Sequence, residues 1–372
     1  MVIIGKRVLD SRLKALYDKG IKVYSFSKAN TIHDCLYCAY LTYILHNKGT
    51  PNCYSIMGTK VHDTLQALME NQATEKDLLP ALQSELDDID MLNITFPKDR
   101  HGNDSIKDKW VADMTDFCKT FKKPKGKFQT EQLVLLPLSN NRYLQGYIDL
   151  IQFHNDKEIS IYDWKTSSQF TNKNVKEHGR QLVLYAMAKE YEGYKIHNVG
   201  WIMLKYITVK YNGKARINSK KETLQTKVIE RSQIISVLYD VIYNKLLNAG
   251  YDKIEAEYYL QQASQAKSIE ILPNNIKNQF SIKPYIRYYE LTDEIKQEAM
   301  DYMNQQADLF ESLDNKEENW KHRDFTKQLK SGKEINDTFF CNNLCNFKSS
   351  CKYIKAFNDL NNIADLDDSQ LF

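Results

Sequence analysis

Residues 146–167 read GYIDLIQFHNDKEISIYDWKTS, a stretch that sets Asp149, Asp163 and Lys165 into what is otherwise a plain β-hairpin. Residues 147–153 and 159–165 have strand character, and the polar loop 154–158 between them suits an antiparallel turn. A loop closing about Asp156 pairs Phe153 with Ile159, and continuing that register stands Asp149 opposite Asp163. Side chains alternate along a strand, so Lys165 shares the aspartate face while Tyr162 and Trp164 take the other. Opposed carboxylates repel, and burying one unpaired is costly. A hard divalent cation such as Mg²⁺ or Mn²⁺ between them meets that demand, with Lys165 adding further positive charge. An exposed hairpin carrying a weak surface ion pair would show the same residues.

Two helical pairs and a set of thiols extend the possibilities. Gly58 and His62 are spaced i, i+4, so the glycine leaves room above an imidazole that is either a metal ligand or a packed histidine. Gln181 and Tyr185 have the same spacing; they reach a phosphate or a base, or else they pack. Seven cysteines, an odd number, with no export signal argue against a disulfide framework. Three of them, Cys341, Cys345 and Cys351, stand in CNNLCNFKSSC, and three clustered thiolates need a fourth ligand. Cys35 and Cys38, about 300 residues earlier in the chain, are the candidates. The closure entropy of so long a loop grows only logarithmically, so the clip would stabilise the ring it closes.

These groups need a scaffold, and periodicity supplies one. Helical patterns occur at 57–71, 78–92 and 106–121, and strands at 127–138 and through the hairpin. A helix at 175–193 follows, ending near Gly193, and then a strand at 196–210. Helix, three strands, helix, strand is an α/β order that predicts a mixed central sheet covered by helices on both faces. Residues 223–266 read as helical with a break near Gly250, and 285–312 as a short strand leading into a helix capped by Thr292.

The 372 residues are 42% hydrophobic and 27% charged, the composition of a water-soluble globular chain. No apolar run approaches the length of a membrane span, and the first twenty residues lack a signal-peptide core, so a cytoplasmic location is expected. A net charge of +3 is too small to imply a polyanionic partner by itself. Two basic runs, 119–127 and 205–221, the second interleaved with Tyr206 and Tyr211, are either phosphate contacts or solvated loops. The last residues, AFNDLNNIADLDDSQLF, hold four aspartates and no base, and read as a flexible acidic tail.

In order, CLYCAYL, GTKVH, GYID, DWKTS, RQLVLYA and CNNLCNFKSSC resemble the RecB-like branch of the PD-(D/E)XK nuclease superfamily across roughly residues 25–355. More narrowly the chain resembles the iron-sulfur subgroup, which includes CRISPR-associated RecB-like exonucleases and the nuclease domain of AddB-type helicase-nucleases. The resemblance implies a restriction-endonuclease-like core and a Mg²⁺- or Mn²⁺-dependent exonuclease acting on single-stranded DNA or DNA ends. Recombination, repair, replication or phage DNA processing would be its setting; the alternative is a catalytically silent DNA-binding scaffold. By the same resemblance His62, Asp149, Asp163 and the Trp164 carbonyl would hold metal, Lys165 would be the catalytic lysine, and Gln181 with Tyr185 would line the DNA path. Cys35, Cys341, Cys345 and Cys351 would hold a [4Fe-4S] cluster. Glu131, one strand earlier, is a candidate for a further carboxylate.

The chain departs from that pattern in places. One extra residue separates Cys341 from Cys345, Leu36 stands where a proline is usual, and Cys38 competes with Cys35, which is preferred when SFSKANTIHD is matched to the family's serine-rich strand. Residues 216–282 have no counterpart, and no G-x-x-x-x-G-K-[ST] motor motif occurs, so a helicase or single-strand-binding protein would be a separate partner. The tail DLDDSQLF is similar to the acidic tips that recruit such partners. The expected division is an N-terminal segment (1–56), a nuclease core (57–210), a mostly helical region (211–336), the cysteine motif (337–355) and the tail (356–372).

Overall fold

The computed structural model describes residues 10–99, 101–171, 174–214 and 222–369, with side chains as far as Asn361. Seven strands form one mixed sheet: β1 (Lys22–Ser25), β2 (Lys127–Leu138), β3 (Arg142–Phe153), β4 (Glu158–Lys165), β5 (Lys195–Lys214), β6 (Glu222–Glu230) and β7 (Phe280–Tyr289). β2, β3 and β4 are a meander, and the step from β4 to β5 is parallel. That step is made by α7 (Val175–Tyr191), as a crossover between parallel strands requires.

The hairpin register is the one the sequence implies: Phe153 pairs with Ile159 and the ladder runs to Leu150 opposite Tyr162. There it stops. Further along the same edge of β3, residues Arg142–Gln145 pair with β1 instead. Gly146 to Asp149 therefore lie where the neighbouring strands diverge, and this opening in the sheet is where the acidic residues sit.

Helices cover both faces. On one, α4 (Cys53–Met69), α5 (Leu78–Met91) and α6 (Ser105–Thr120) bury Met57, Leu65, Ile89 and Met114 with Leu150, Tyr162 and Trp164 of the sheet. On the other, α7 and α11 (Asp293–Ser312) pack Val183, Leu184 and Met303 with Ile151, Ile159, Ile161 and Trp201. The side chains flanking Asp163 thus alternate between the faces as the period-2 pattern demands. Beyond the site, β5 runs on to Lys214 and carries a separate core with α8 (Ile234–Asn248), α9 (Lys253–Ala266) and α10 (Asn274–Lys277).

The chain ends meet. After α1 (Ser11–Asp18), α2 (Phe26–Asp34) and α3 (Leu36–Ala39) pack Ile32 and Tyr37 against Trp320, Phe347 and Ile354. Ile354 lies in α12 (Lys352–Ser369), which a small hairpin of β8 (Thr326–Gln328) and β9 (Glu334–Asn336) precedes. Thr50 N donates to Asn346 O at 2.8 Å and Asn52 Nδ2 to Leu344 O at 2.7 Å, so the start of α4 is held by the cysteine segment.

The structure differs from the expected elements in four places. Residues 223–230, expected helical, are β6, which pairs along β5 from Tyr206 to Lys214. SFSKANTIHD is α2, whose N-cap Ser25 accepts from Lys28 N at 3.1 Å, and not a strand. The expected boundary at residue 210 falls inside β5, and β6 and β7 bring residues of the following region into the same sheet. The acidic tail is helical as far as Ser369, while residues 370–372 lie outside the described part.

Candidate active site

At the opening between β3 and β4, Asp149 Oδ2 accepts the Trp164 amide at 3.1 Å and faces His62 Nδ1 at 3.3 Å. His62 reaches there from α4, and its Nε2 donates to the Trp164 carbonyl at 2.8 Å. Lys165 Nζ lies 2.6 Å from Asp163 Oδ2, a buried oxygen with no hydrogen bond of regular geometry among the described residues. The two carboxyls are within reach of each other. His62, Asp149, Asp163, Trp164 and Lys165, separated by up to 103 residues, are thus gathered into one cluster.

Electrostatics follow from burial. Desolvation, and then the charge of Asp163, push the Asp149 carboxyl well above the usual carboxylate range. Burial also lowers the His62 imidazole, which favours its neutral form. Lys165 is desolvated too, yet the attraction of Asp163 outweighs that penalty and its pKa is raised. The cluster is a carboxyl pair in which burial and the neighbouring charge disfavour ionisation of Asp149, with one ammonium against Asp163. Among the described residues no three His, Cys, Asp or Glu side chains are drawn close enough to chelate an ion as they stand. The donor chemistry nevertheless fits Mg²⁺ or Mn²⁺, with two carboxyls, a backbone carbonyl and an imidazole.

From the other face, α7 brings Gln181 and Tyr185 over the opening. Gln181 Nε2 donates to Tyr185 OH at 3.2 Å, and burial pushes the Tyr185 phenol up to about 12. The ring lies on the backbone of Gly146: a Cβ there would be 2.2 Å from Tyr185 Cε1. The glycine of GYID is therefore a contact surface for the tyrosine, a role that only the three-dimensional pairing reveals. Gly58 behaves otherwise. A Cβ at that position would meet Thr166 Oγ1 at 3.7 Å, an ordinary contact, so close approach to the imidazole does not require the glycine.

Glu131 continues the β2 register to a place directly across from Asp149, between the pairs Thr130 with Leu150 and Gln132 with Ile148. Its φ is 49°, in the left-handed region, within an otherwise extended strand. Such backbone costs on the order of 1–3 kcal/mol and gathers at working sites. Of the basic run 119–127, Lys123 is committed elsewhere: its Nζ donates to Leu68 O and Met69 O, both at 2.9 Å, closing the end of α4. Residues 215–221 of the second run lie outside the described part.

All seven cysteines are free, and five of them gather at the joined chain ends. Cys38 Sγ is 3.7 Å from Cys345 Sγ, and the Cys38 amide donates to Cys35 Sγ at 3.4 Å. Contact with Cys38 lowers the Cys35 thiol to about 6 and the Cys345 thiol to about 7, whereas burial raises Cys341 and Cys351.

Residues 23–352 match the PD-(D/E)XK nuclease superfamily, and the chain belongs to it. That membership implies divalent-metal-dependent nuclease chemistry and DNA binding. No curated protein matches the chain significantly. Among the described residues no helix is long and apolar enough to cross a membrane.

Proposed function

We propose that this chain is a Mg²⁺- or Mn²⁺-dependent deoxyribonuclease of the RecB-like branch, an exonuclease on single strands or DNA ends in recombination, repair, replication or phage DNA processing. The observation that carries the reading is the convergence of Asp149, Asp163, Lys165, His62 and the Trp164 carbonyl at the opening of the sheet. Asp149, Asp163, His62 and the Trp164 carbonyl would hold the metal, which supplies Lewis acidity and a more acidic bound water. Lys165, held by Asp163, orients the attacking water and offsets charge that develops on the phosphate. Trp110 Nε1 donates to Thr166 O at 3.2 Å, fixing the turn that follows the lysine. Gln181 and Tyr185 guide the strand over the opening.

Cys35, Cys341, Cys345 and Cys351 are proposed to hold a [4Fe-4S] cluster that staples the chain ends. Supporting this is the gathering of thiols from residues 35–38 and 341–351 in one buried cluster. One observation favours a zinc site instead: two thiolates on a tetrahedral zinc at about 2.3 Å stand about 3.8 Å apart, close to the 3.7 Å between Cys38 and Cys345.

The test is incubation of anaerobically purified protein with 5′-labelled and 3′-labelled single-stranded and duplex DNA, with and without Mn²⁺. Metal-dependent shortening from one end supports the reading, and intact DNA under all conditions overturns it. The visible spectrum of the same sample separates an iron-sulfur cluster, which absorbs, from zinc, which is silent.

A further inference from the structure

The cleft that receives Lys165 does not end there. It is a cavity of about 840 Å³ that continues along Thr166, Ser167 and Ser168 to Lys109 on α6, Lys205 on β5 and Glu230 at the end of β6. Lys205 is 8% exposed, and its ammonium is 4.0 Å from Glu230 Oε1. Lys109 forms an ion pair with the other oxygen of the same carboxylate, which also accepts Tyr206 OH at 3.0 Å. Two ammoniums thus share one carboxylate. The next acid, Asp113, is itself fully buried and has one oxygen bound to the Ser232 amide at 2.7 Å. Its charge favours the Lys205 ammonium even more than that of Glu230, yet burial outweighs both carboxyls and lowers the Lys205 pKa. A buried ammonium whose desolvation outweighs its two carboxyl neighbours, with a second ammonium on one of them, is stabilised when a further anion enters the cleft.

We propose that Lys109 and Lys205 form a phosphate-binding subsite for the DNA strand whose scissile bond lies at Lys165. Glu230 is the internal anion that holds the two ammoniums until a strand phosphate takes its place. The proposal rests on the nuclease reading for the identity of the strand, but its physical content is an anion site in the same cleft. Because Lys109 and Lys205 line the same cleft as Lys165, the strand would be held at a second phosphate as well as at the reacting one, which fixes the register of cleavage. In the sequence Lys205 is one letter of a basic run and Lys109 an ordinary helix residue; only the packing of α6 on β5 joins them.

The test measures binding of a fluorescently labelled single-stranded oligodeoxynucleotide to the full chain, without divalent cation, across a salt series. Lys109→Gln is expected to weaken binding about 10-fold and to reduce the slope of log K against log salt by about 0.7, the share of one phosphate contact. Lys109 is 44% exposed, so this variant is not expected to disturb the core. Lys205→Gln should do the same where it folds, and Glu230→Gln should tighten binding by removing the competing anion. Wild-type affinity and slope in Lys109→Gln, with wild-type cleavage in Mn²⁺, overturn the subsite and leave the nuclease reading standing. Lysine-dependent binding by a wild type that does not cleave supports the subsite and overturns the nuclease reading.

Discussion

Replacing Asp149 by asparagine keeps an acceptor for the Trp164 amide and removes a carboxyl that Asp163 opposes. Asp149→Asn should therefore abolish Mn²⁺-dependent cleavage while the apoprotein melts at the wild-type temperature or above it, read by calorimetry beside a nuclease assay. Lys165 differs, because it is the cation against Asp163. Lys165→Met should lower turnover about 100-fold or more. It should also destabilise the apoprotein by about 1–3 kcal/mol, and added Mn²⁺ should restore much of that loss by taking over the charge. Wild-type turnover in either variant removes these residues from the mechanism. Gly146 is tested through its neighbour. Gly146→Ala forces the Tyr185 ring off the strand and should cost about 1–3 kcal/mol. In a Tyr185→Ala background that cost should largely vanish, a coupling that a double-mutant cycle in urea measures.

The elements that carry these residues differ in how plainly the sequence announces them. β2 occupies the expected 127–138, and α7 begins at the expected residue, because each has one face or both buried and the apolar period is clean. β6 escapes such a reading: most of its side chains are exposed, so no apolar alternation marks it, and its only instruction is the edge of β5 beside it. β1 is hidden in another way, since four residues become a strand by pairing parallel to β3, more than a hundred residues on. In the site, Asp149, Asp163 and Lys165 were legible from hairpin arithmetic, and the thiols from their spacing. The Gly146 contact and the left-handed Glu131 depend on packing and local backbone that spacing does not encode. Glu311 of α11 shows what long-range contacts add: it takes Tyr24 OH at 2.7 Å, Lys22 at 2.9 Å and Arg142 at 2.9 Å, locking α11 to β1 and β3. Partial burial raises its pKa, but these donors win and take it from 4.5 to about 2. The folded pKa lies below the unfolded one, so this stabilisation is complete above pH 4.5 and fades as pH falls through about 2. Glu311→Gln should cost about 2 kcal/mol at neutral pH, with the gap to wild type closing in acid, as urea titrations at stepped pH will show.

At the scale of the molecule, the five gathered cysteines bring together two chain segments about 300 residues apart, and the proposed cluster would close the ring between them. Cys35→Ala or Cys345→Ala should bleach the anaerobically purified protein and lower its solubility, whereas Cys38→Ala should keep the colour. A colourless, zinc-loaded wild type overturns the cluster. Bleaching by Cys38→Ala alone would make Cys38 the first ligand, an outcome its 3.7 Å approach to Cys345 gives a physical basis.

The bond from Asn52 to Leu344 carries a further consequence for the order in which the protein is made. Asn52 is also the N-cap of the helix that presents His62, accepting the Ser55 amide at 3.0 Å while its other side-chain atom holds the Leu344 carbonyl. On the ribosome, Leu344 emerges long after both strands of the acidic hairpin are complete. A nascent chain that already displays Asp149, Asp163 and Lys165 still lacks the anchor that steadies the histidine helix. Synthesis therefore imposes a delay between building the acidic pair and fixing the imidazole beside it, and a chain broken off before Leu344 is released without that anchor.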